Sequence, residues 1–465
     1  MKESKGVGLM INLKNRKAVV VGLARTGTAV ARFLSKRGAV VTGCDLKKDR
    51  VESASELEAV GISLELGEHR LETFINAELI VVSPGVPDNI EPLVAARSKG
   101  VSVIGEVELA AQFIDEPIIA VTGTNGKTTT TTMLGEMLKG SGLRVWVGGN
   151  IGDPLIGYVE KGDKADIVVV EISSFQLDTI EEFKPRVGTL LNITEDHLDR
   201  YPSFQAYVDS KLRLFLNHSE DDLAILNAAD PVVKGLSRSI KSQKLFFNLD
   251  TLNRYGSRVH DSQLECCIPE RGSFCFSLRG FKLRGVHNIE NGSAAALAAL
   301  ASGGSADAIQ DVLETFSGLP HRLEYVNTVD GVRYYNDSKG TNVAAVIKSL
   351  ESFDEPIILI MGGRDKGGDY NLLKEHVKKR VKHLIVIGET KTKIIKSLGR
   401  CAPLASVADD MDEAVNMAHD CAVPGDVVLL SPACSSFDMF SDYTERGRAF
   451  CESVKRLSNQ GSSSS

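Results

Sequence analysis

No apolar run in this chain reaches the ~20 residues that a membrane-spanning helix needs, so no bilayer crossing is expected. The opening segment MKESKGVGLMINLKNRK has no apolar core of the secretory type, and a cytoplasmic protein is expected. No C-x-x-C pair occurs among the eight cysteines, and Cys266 and Cys267 are adjacent. Neither a zinc site nor a disulfide framework is indicated, and reduced thiols are expected. Positive charge is not in excess either. Lys and Arg number 54 against 61 Asp and Glu, a formal net charge of −7, which argues against a general attraction to nucleic acid or anionic membrane. What remains is ordinary for a soluble globular protein, 43% hydrophobic and 25% charged. At 465 residues, about three domains are expected. The C-terminal SNQGSSSS reads as disordered.

Two glycines are also missing where nucleotide-binding patterns normally place them. The first concerns Pro117 to Leu138, PIIAVTGTNGKTTTTTMLGEML, around which the chain is organised. A short apolar strand gives way to glycines, then to a lysine and a row of threonines opening a helix. That is the order of a phosphate loop. Gly123 and Gly126 let backbone approach a phosphate, and the amides of Thr124, Asn125 and the helix start point at the anion. Lys127 can reach the β- and γ-phosphates of ATP, and the hydroxyl of Thr128, with Thr129 beside it, can ligate Mg²⁺. The usual first glycine is replaced by Val121. The bland reading is a glycine-rich turn before a Thr-rich helix, which leaves Gly-Lys-Thr at the junction unexplained.

The second missing glycine lies in KAVVVGLARTGTAVARFLSKRGAVVTGCD, residues 17 to 45. The pattern is a βαβ unit closing on the acidic Asp45, near the dinucleotide fingerprint. Ala24 occupies the middle glycine position, and its Cβ hinders approach of a pyrophosphate. A Rossmann-like domain holding another nucleotide is favoured over a nicotinamide or flavin site. Further on, Ser83-Pro84-Gly85 closes another apolar strand, either as an ordinary turn or at the strand end where open α/β sheets bind ligands.

The middle of the chain alternates continuous apolar strands with helices, the mark of a parallel sheet covered on both faces. Glu171 ends one such strand, where it either faces solvent or holds a metal near the phosphate loop. His197 follows another strand, among Glu195, Asp196 and Asp199. Lys211 lies on the helix predicted in FQAYVDSKLRLF and by default is a solvated lysine.

VTGTNGKTT, EISSFQLD, NITEDHLDRY, VHNIEN, LPHRLE, NDSKGTN, GGRDKGGDY and LLSPACSSFDMF occur in that order. Together they resemble the Mur ligases, the ATP-dependent amide ligases of peptidoglycan precursor synthesis, from about Val19 to Arg448. EISSFQLD and SPACSSFDMF place the resemblance nearest the branch that adds D-glutamate to UDP-N-acetylmuramoyl-L-alanine. In that family the first glycine of the phosphate loop is absent, so Val121 no longer speaks against ATP.

The resemblance implies three α/β domains. A Rossmann-like domain, 1–107, holds the UDP substrate; a central P-loop-type ATPase domain, 108–318, has a mainly parallel sheet; a Rossmann-like domain, 319–465, holds the amino acid. By the same resemblance Leu23 and Thr26 lie near the diphosphate, and Asp45, Leu46 and Lys47 near the uracil. Ser83 and Gly85 complete that pocket, and Asn150 and His197 contact the muramoyl portion. Thr128 and Glu171 resemble the ligands of one Mg²⁺, and His197 and Lys211 those of a second, Lys211 as a CO₂-derived carbamate. A protonated lysine cannot bind Mg²⁺, whereas a carbamate offers the anionic oxygen that this hard cation prefers. Asn288 and Asn291 resemble adenine-side residues on the helix after VHNIEN, and Arg322 and Asp337 reach back to ATP. Lys339, Thr341, Lys366, Ser436, Phe437 and Tyr443 resemble a D-glutamate pocket. Lys366 is otherwise a surface-loop lysine.

The implied reaction activates the substrate carboxylate as an acyl phosphate, which the amine of D-glutamate then attacks. Closure of the third domain would exclude water from that intermediate. A monomer is expected. Competing readings are a sister Mur ligase, a folylpolyglutamate synthetase, a dehydrogenase built on the first βαβ unit, and a P-loop switch protein. The first two lack EISSFQLD and SPACSSFDMF, and the last would hydrolyse ATP without needing both substrates.

Overall fold

The structure, a computed structural model, describes residues 11–47, 54–197, 200–252 and 255–461, with side chains to 458. Asp199, expected near His197, lies outside the described residues, as do the last four serines. Three sheets follow one another along the chain. The first contains β1 (Lys17–Val21), β2 (Val40–Asp45), β3 (Ser63–Leu66), β4 (Leu79–Val82) and β5 (Ser102–Gly105). Its order is β3-β2-β1-β4-β5, with every pairing parallel. The chain therefore reverses its winding beside β1, and a crevice opens there at the carboxyl ends of the strands. Gly27, in the helix Arg25–Lys36, sits against the turn after β1. A Cβ there would lie 1.7 Å from the Gly22 carbonyl oxygen, so helix and strand could not pack this closely with any other residue.

The central sheet has nine strands: β6 (Ile118–Thr122), β7 (Val145–Gly149), β8 (Ile167–Glu171), β9 (Val187–Leu190), β10 (Leu223–Asn227), β11 (Gln243–Phe247), β12 (Gly256–His260), β13 (Gln263–Ile268) and β14 (Gly272–Ser277). The order is β14-β13-β12-β11-β10-β9-β6-β8-β7, parallel except for the meander β12-β13-β14. This confirms a mainly parallel sheet and adds strands the sequence reading did not foresee. The β12–β13 turn places Asp261 and Ser262 at φ 47° and 59°, in the left-handed region, without the glycine that normally announces such a hairpin. Val286–Ala301 packs along the phosphate-loop helix Lys127–Gly140. Its run from Ala294 to Ala299, nearly all alanine, is fully buried, and short side chains permit that close approach. VHNIEN forms the first turns of this helix, so Asn288 and Asn291 lie within the motif and not after it.

The third sheet contains β15 (Glu324–Val329), β16 (Val332–Asn336), β17 (Ile357–Gly362), β18 (Val381–Ile387), β19 (Leu404–Val407) and β20 (Val427–Leu430). Its order is β15-β16-β20-β17-β18-β19, with only β15 antiparallel. The final helix, Tyr443–Gly461, continues through Ser458-Asn459-Gln460-Gly461, correcting the expectation of disorder for the start of the tail. Ser458 is held there by Asn327 Nδ2, which donates to its hydroxyl at 2.8 Å.

One apolar core runs from the first sheet into the central one, through Val20, Leu34, Leu109, Ile118 and Val168. The Glu108 carboxylate reinforces the join by accepting hydrogen bonds from the amides of Glu181, Glu182 and Phe183. The third sheet meets the centre through polar contacts, among them Arg322 to Thr128, Asn342 to Asp196 and the ion pair Arg284–Glu355. Among the described residues, no helix is long and apolar enough to cross a membrane, and all eight cysteines are free thiols.

Candidate active site

The phosphate loop is braced by the segment after β9. Thr124 N donates to Asn192 O at 2.9 Å, and Asn125 N to Asn192 Oδ1 at 2.8 Å. The Thr124 hydroxyl accepts from Thr194 N at 3.0 Å. These bonds hold the turn in shape in advance. They also occupy the Thr124 and Asn125 amides, correcting the expectation that those two point at the anion; the amides at the helix start are left for a phosphate. Gly126 takes φ 86°, and a Cβ there would collide with Asn291 Oδ1 at 2.2 Å. Conformation and packing thus both demand glycine at that position.

Two lysines converge on this loop. Lys127 Nζ donates to Gly123 O and Thr124 O, both at 2.8 Å. Lys211 Nζ donates to the same Gly123 O at 2.9 Å and stands 4.7 Å from the centre of the Tyr207 ring. Lys211 is 1% exposed, which rules out a solvated helix lysine. Burial, then the charge of Lys127, pushes its amine well below the ordinary lysine range. A neutral amine is the form that can react with CO₂.

Glu171 ends β8 and is 1% exposed, so its carboxylate does not point into solvent. Oε1 accepts from Asn150 Nδ2 at 2.6 Å. Oε2 is buried with no hydrogen-bond partner among the described residues. A partnerless buried carboxylate oxygen is costly unless a cation completes it. Among the described residues no group of three His, Cys, Asp or Glu side chains could hold a metal. A cation here would therefore draw on Glu171, the Thr128 hydroxyl and oxygens supplied by a ligand. Arg322 Nη2 donates to that hydroxyl oxygen, which uses one of its two lone pairs and leaves the other for a cation. His197, at φ 55°, is edge-on to Phe175 and 3.7 Å from Asp196.

Two spaces flank the loop. A cavity of about 320 Å³ lies between the centre and the third sheet, bounded by Asn125, Gly126, Asn288, Asn291, Arg322 and Asp337. With Thr129, it brings together seven of the eleven residues expected around ATP; Gly123, Thr124, Lys127 and Thr128 do not line it. Asp337 accepts from Ser349 Oγ at 2.7 Å and Ser431 Oγ at 2.8 Å, and burial raises its carboxyl to about 6. A cleft of about 800 Å³ touches all three sheets' domains through Thr26, Thr128, Asn150, Glu171, Lys339 and Tyr443. Lys339 Nζ sits 3.8 Å from the centre of the Tyr443 ring. Burial and then Arg322 press its amine down to about 7.

The remaining expected residues are placed as follows. Lys366 Nζ donates to Thr341 Oγ1 at 3.2 Å; Ser436 is 2% exposed, whereas Phe437 is 62% exposed. In the first domain, Asp45 accepts from Leu23 N at 2.7 Å and Lys47 N at 2.9 Å. Its carboxylate thus shapes the two loops around the crevice. Ser83 Oγ donates to Gly22 O at 2.8 Å, and Gly85 O accepts from Arg200 at 3.2 Å. Leu46 is exposed beside them.

Sequence reasoning missed Arg446 and Asn342. Arg446 is 1% exposed and donates to Ser338 O at 2.8 Å and Cys434 O at 3.1 Å, with a longer contact to Gly362 O. It ties the loops after β16 and β20 to the end of β17. An arginine in the pattern TERGRAF reads as a solvated helix residue, and nothing local signals this burial.

A loop built for phosphates, facing a buried carboxylate and a cleft shared by three α/β domains, defines an ATP-type ligase or hydrolase site. Three family models match successive parts of the chain: the Mur ligase MurD-like N-terminal domain over residues 16–105, the Mur ligase middle domain over 121–299, and the Mur ligase glutamate ligase domain over 321–434. The chain belongs to the Mur ligase family. It is 50% identical over 452 residues to the UDP-N-acetylmuramoylalanine–D-glutamate ligase of Desulfosudis oleivorans, covering 96% of this chain and 98% of that protein. It is also 50% identical over 450 residues to the ligase of the same name from Geotalea daltonii, covering 96% and 99%. Among solved structures, MurF ligase from Thermotoga maritima in complex with ADP superposes with a TM-score of 0.61 at 17% identity, over 97% of this chain and 100% of that one. UDP-N-acetylmuramate-alanine ligase MurC from the same organism gives 0.60 at 20% identity, over 95% and 99%. These likenesses establish the three-domain α/β fold expected from the sequence.

Proposed function

We propose that this protein is an ATP-dependent ligase that joins D-glutamate to UDP-N-acetylmuramoyl-L-alanine in peptidoglycan precursor synthesis. Identity of 50% with D-glutamate ligases over almost the whole chain carries this reading. The preformed phosphate loop and the cleft reaching all three sheets support it.

We divide the chain into 1–107 for the UDP substrate, 108–318 for ATP and 319–465 for the amino acid. The amides at the start of the phosphate-loop helix and Lys127 bind the ATP phosphates, with Asn288, Asn291, Arg322 and Asp337 around the nucleotide. Thr128 and Glu171 would hold Mg²⁺, which supplies charge neutralisation for phosphoryl transfer when bound. His197 and a Lys211 carbamate would hold a second ion. The substrate carboxylate attacks the γ-phosphate, giving ADP and an acyl phosphate. The D-glutamate amine, aimed by Lys339, Thr341, Lys366, Ser436, Phe437 and Tyr443, then displaces phosphate. The protein works as a cytoplasmic monomer, and its product serves cell-wall growth and division.

ADP release, measured with UDP-N-acetylmuramoyl-L-alanine against a panel of amino acids, tests this reading. Turnover is expected with D-glutamate and not with L-glutamate, L-alanine or diaminopimelate. Turnover that ignores the amino acid overturns it.

A further inference from the structure

Asn342 begins the helix Val343–Glu351 of the third domain and serves two sides at once. Its Oδ1 accepts from Ala345 N at 2.8 Å, which caps its own helix. Its Nδ2 donates to Asp196 Oδ2 at 3.0 Å, across the boundary to the central domain. The same Nδ2 lies 3.5 Å from Oδ1 of Asn125, a residue of the phosphate loop. The bond to Asn125 Oδ1 is at the limit of hydrogen-bonding range, so the Asp196 bond is the stronger tie.

Asp196 is a fitting anchor. Its side chain is 10% exposed, and Lys366, on the third domain's glycine-rich loop, is among the charges that face it, with His197 and Lys127. One carboxylate of the central domain therefore gathers an amide and an ammonium from the third. A hydrogen bond to an ionised group is shorter and about twice as strong as a neutral one, and this bond forms only when the two domains touch.

We propose that Asn342 is a positioning residue, a latch that holds the third domain closed over the phosphate loop through Asp196. The proposal rests on the ligase reading above, because it gives closure a purpose. An acyl phosphate formed at the loop must meet the amine before it meets water.

Two substitutions isolate the latch from the cap. Asn342→Asp and Asn342→Ser both keep an oxygen that can cap the helix. The first sets a carboxylate against Asp196, and the second is too short to reach it. Both are expected to keep the thermal midpoint within a few degrees. In both, kcat/KM for D-glutamate should fall about ten- to hundredfold, and ADP release should exceed ligated product. Small-angle scattering with ADP bound should report a larger radius of gyration than for the unaltered protein. If both variants retain the original D-glutamate kinetics and release one ADP per product, the latch is wrong. A fall in thermal midpoint with ADP and product still matched assigns Asn342 to capping alone and also overturns the proposal. If the unaltered protein makes no ligated product, the ligase reading itself has failed, and this is seen before any variant is compared.

Discussion

Asn150 Nδ2 donates to one oxygen of Glu171 at 2.6 Å while the other oxygen is buried without a partner among the described residues. The amide orients the carboxylate and leaves its open oxygen for a cation. Glu171→Gln keeps the shape and the Asn150 bond but removes the charge. Removing one fixed charge-stabilising contact costs roughly a hundred- to thousandfold in kcat. The variant should lose about that much activity, and the Mg²⁺ concentration for half-maximal rate should rise. Activity measured across a Mg²⁺ titration checks both, and an unchanged titration removes Glu171 from the metal site.

Lys211 and Lys127 share Gly123 O as an acceptor. Two ammonium groups at one carbonyl repel, so the more buried arrangement favours a neutral Lys211. Lys211→Ala should abolish nearly all turnover while leaving the fold intact by circular dichroism. Labelled bicarbonate should give a carbamate carbon resonance in the unaltered protein and none in the variant. A fully active alanine variant rejects the carbamate role.

Glu106 lies outside the cleft and offers a test of stability against pH. Burial raises its carboxyl from the ordinary 4.5 to about 7, opposed by the amide of Ile156, which donates to Oε1 at 2.6 Å. Between those values the folded protein holds the proton more tightly than the unfolded chain. Its contribution is therefore fully present below pH 4.5 and is lost as pH rises towards 7. The loss amounts to roughly 3 kcal/mol. Glu106→Gln should remove that fall, so the two stability profiles should converge at low pH or separate by a constant and diverge with rising pH. Urea unfolding at several pH values checks this, and parallel profiles would show that Glu106 does not titrate in that window.

The phosphate loop was legible because its chemistry is local. Gly126, Lys127 and Thr128 are adjacent in sequence, and the left-handed φ of Gly126 needs the residue that stands there. Asn342 and Arg446 were not legible. Each acts on groups far away in sequence, Asp196 at 146 residues and Ser338 at 108, and only the packed sheets bring them together. The strands from Leu223 to Ser277 were missed for a related reason. They include a meander whose turn at Asp261-Ser262 adopts left-handed backbone without glycine. Exposure was misjudged at Lys211, which reads as a surface lysine and is buried.

Ser436 follows β20 in the loop SPACSS, is 2% exposed, and its carbonyl accepts from Met439 N and Phe440 N. The backbone thus fixes its position by bonds that do not use the hydroxyl. Arg446 holds the same loop through Cys434 O, so the hydroxyl is presented from a rigid support. A hydrogen bond from that hydroxyl to one carboxylate of D-glutamate would contribute about 1.5–3 kcal/mol, or roughly ten- to hundredfold in binding. Ser436→Ala should raise the D-glutamate KM by about that factor. The KM values for ATP and the UDP-linked acid should stay within about twofold, since the proposed sites for both lie on other domains. Because the hydroxyl does not cap a helix, the thermal midpoint should also hold. Measuring the three KM values and the midpoint together separates a binding role from a structural one. A falling midpoint with an unchanged D-glutamate KM would make Ser436 part of the loop's packing and take it out of the pocket.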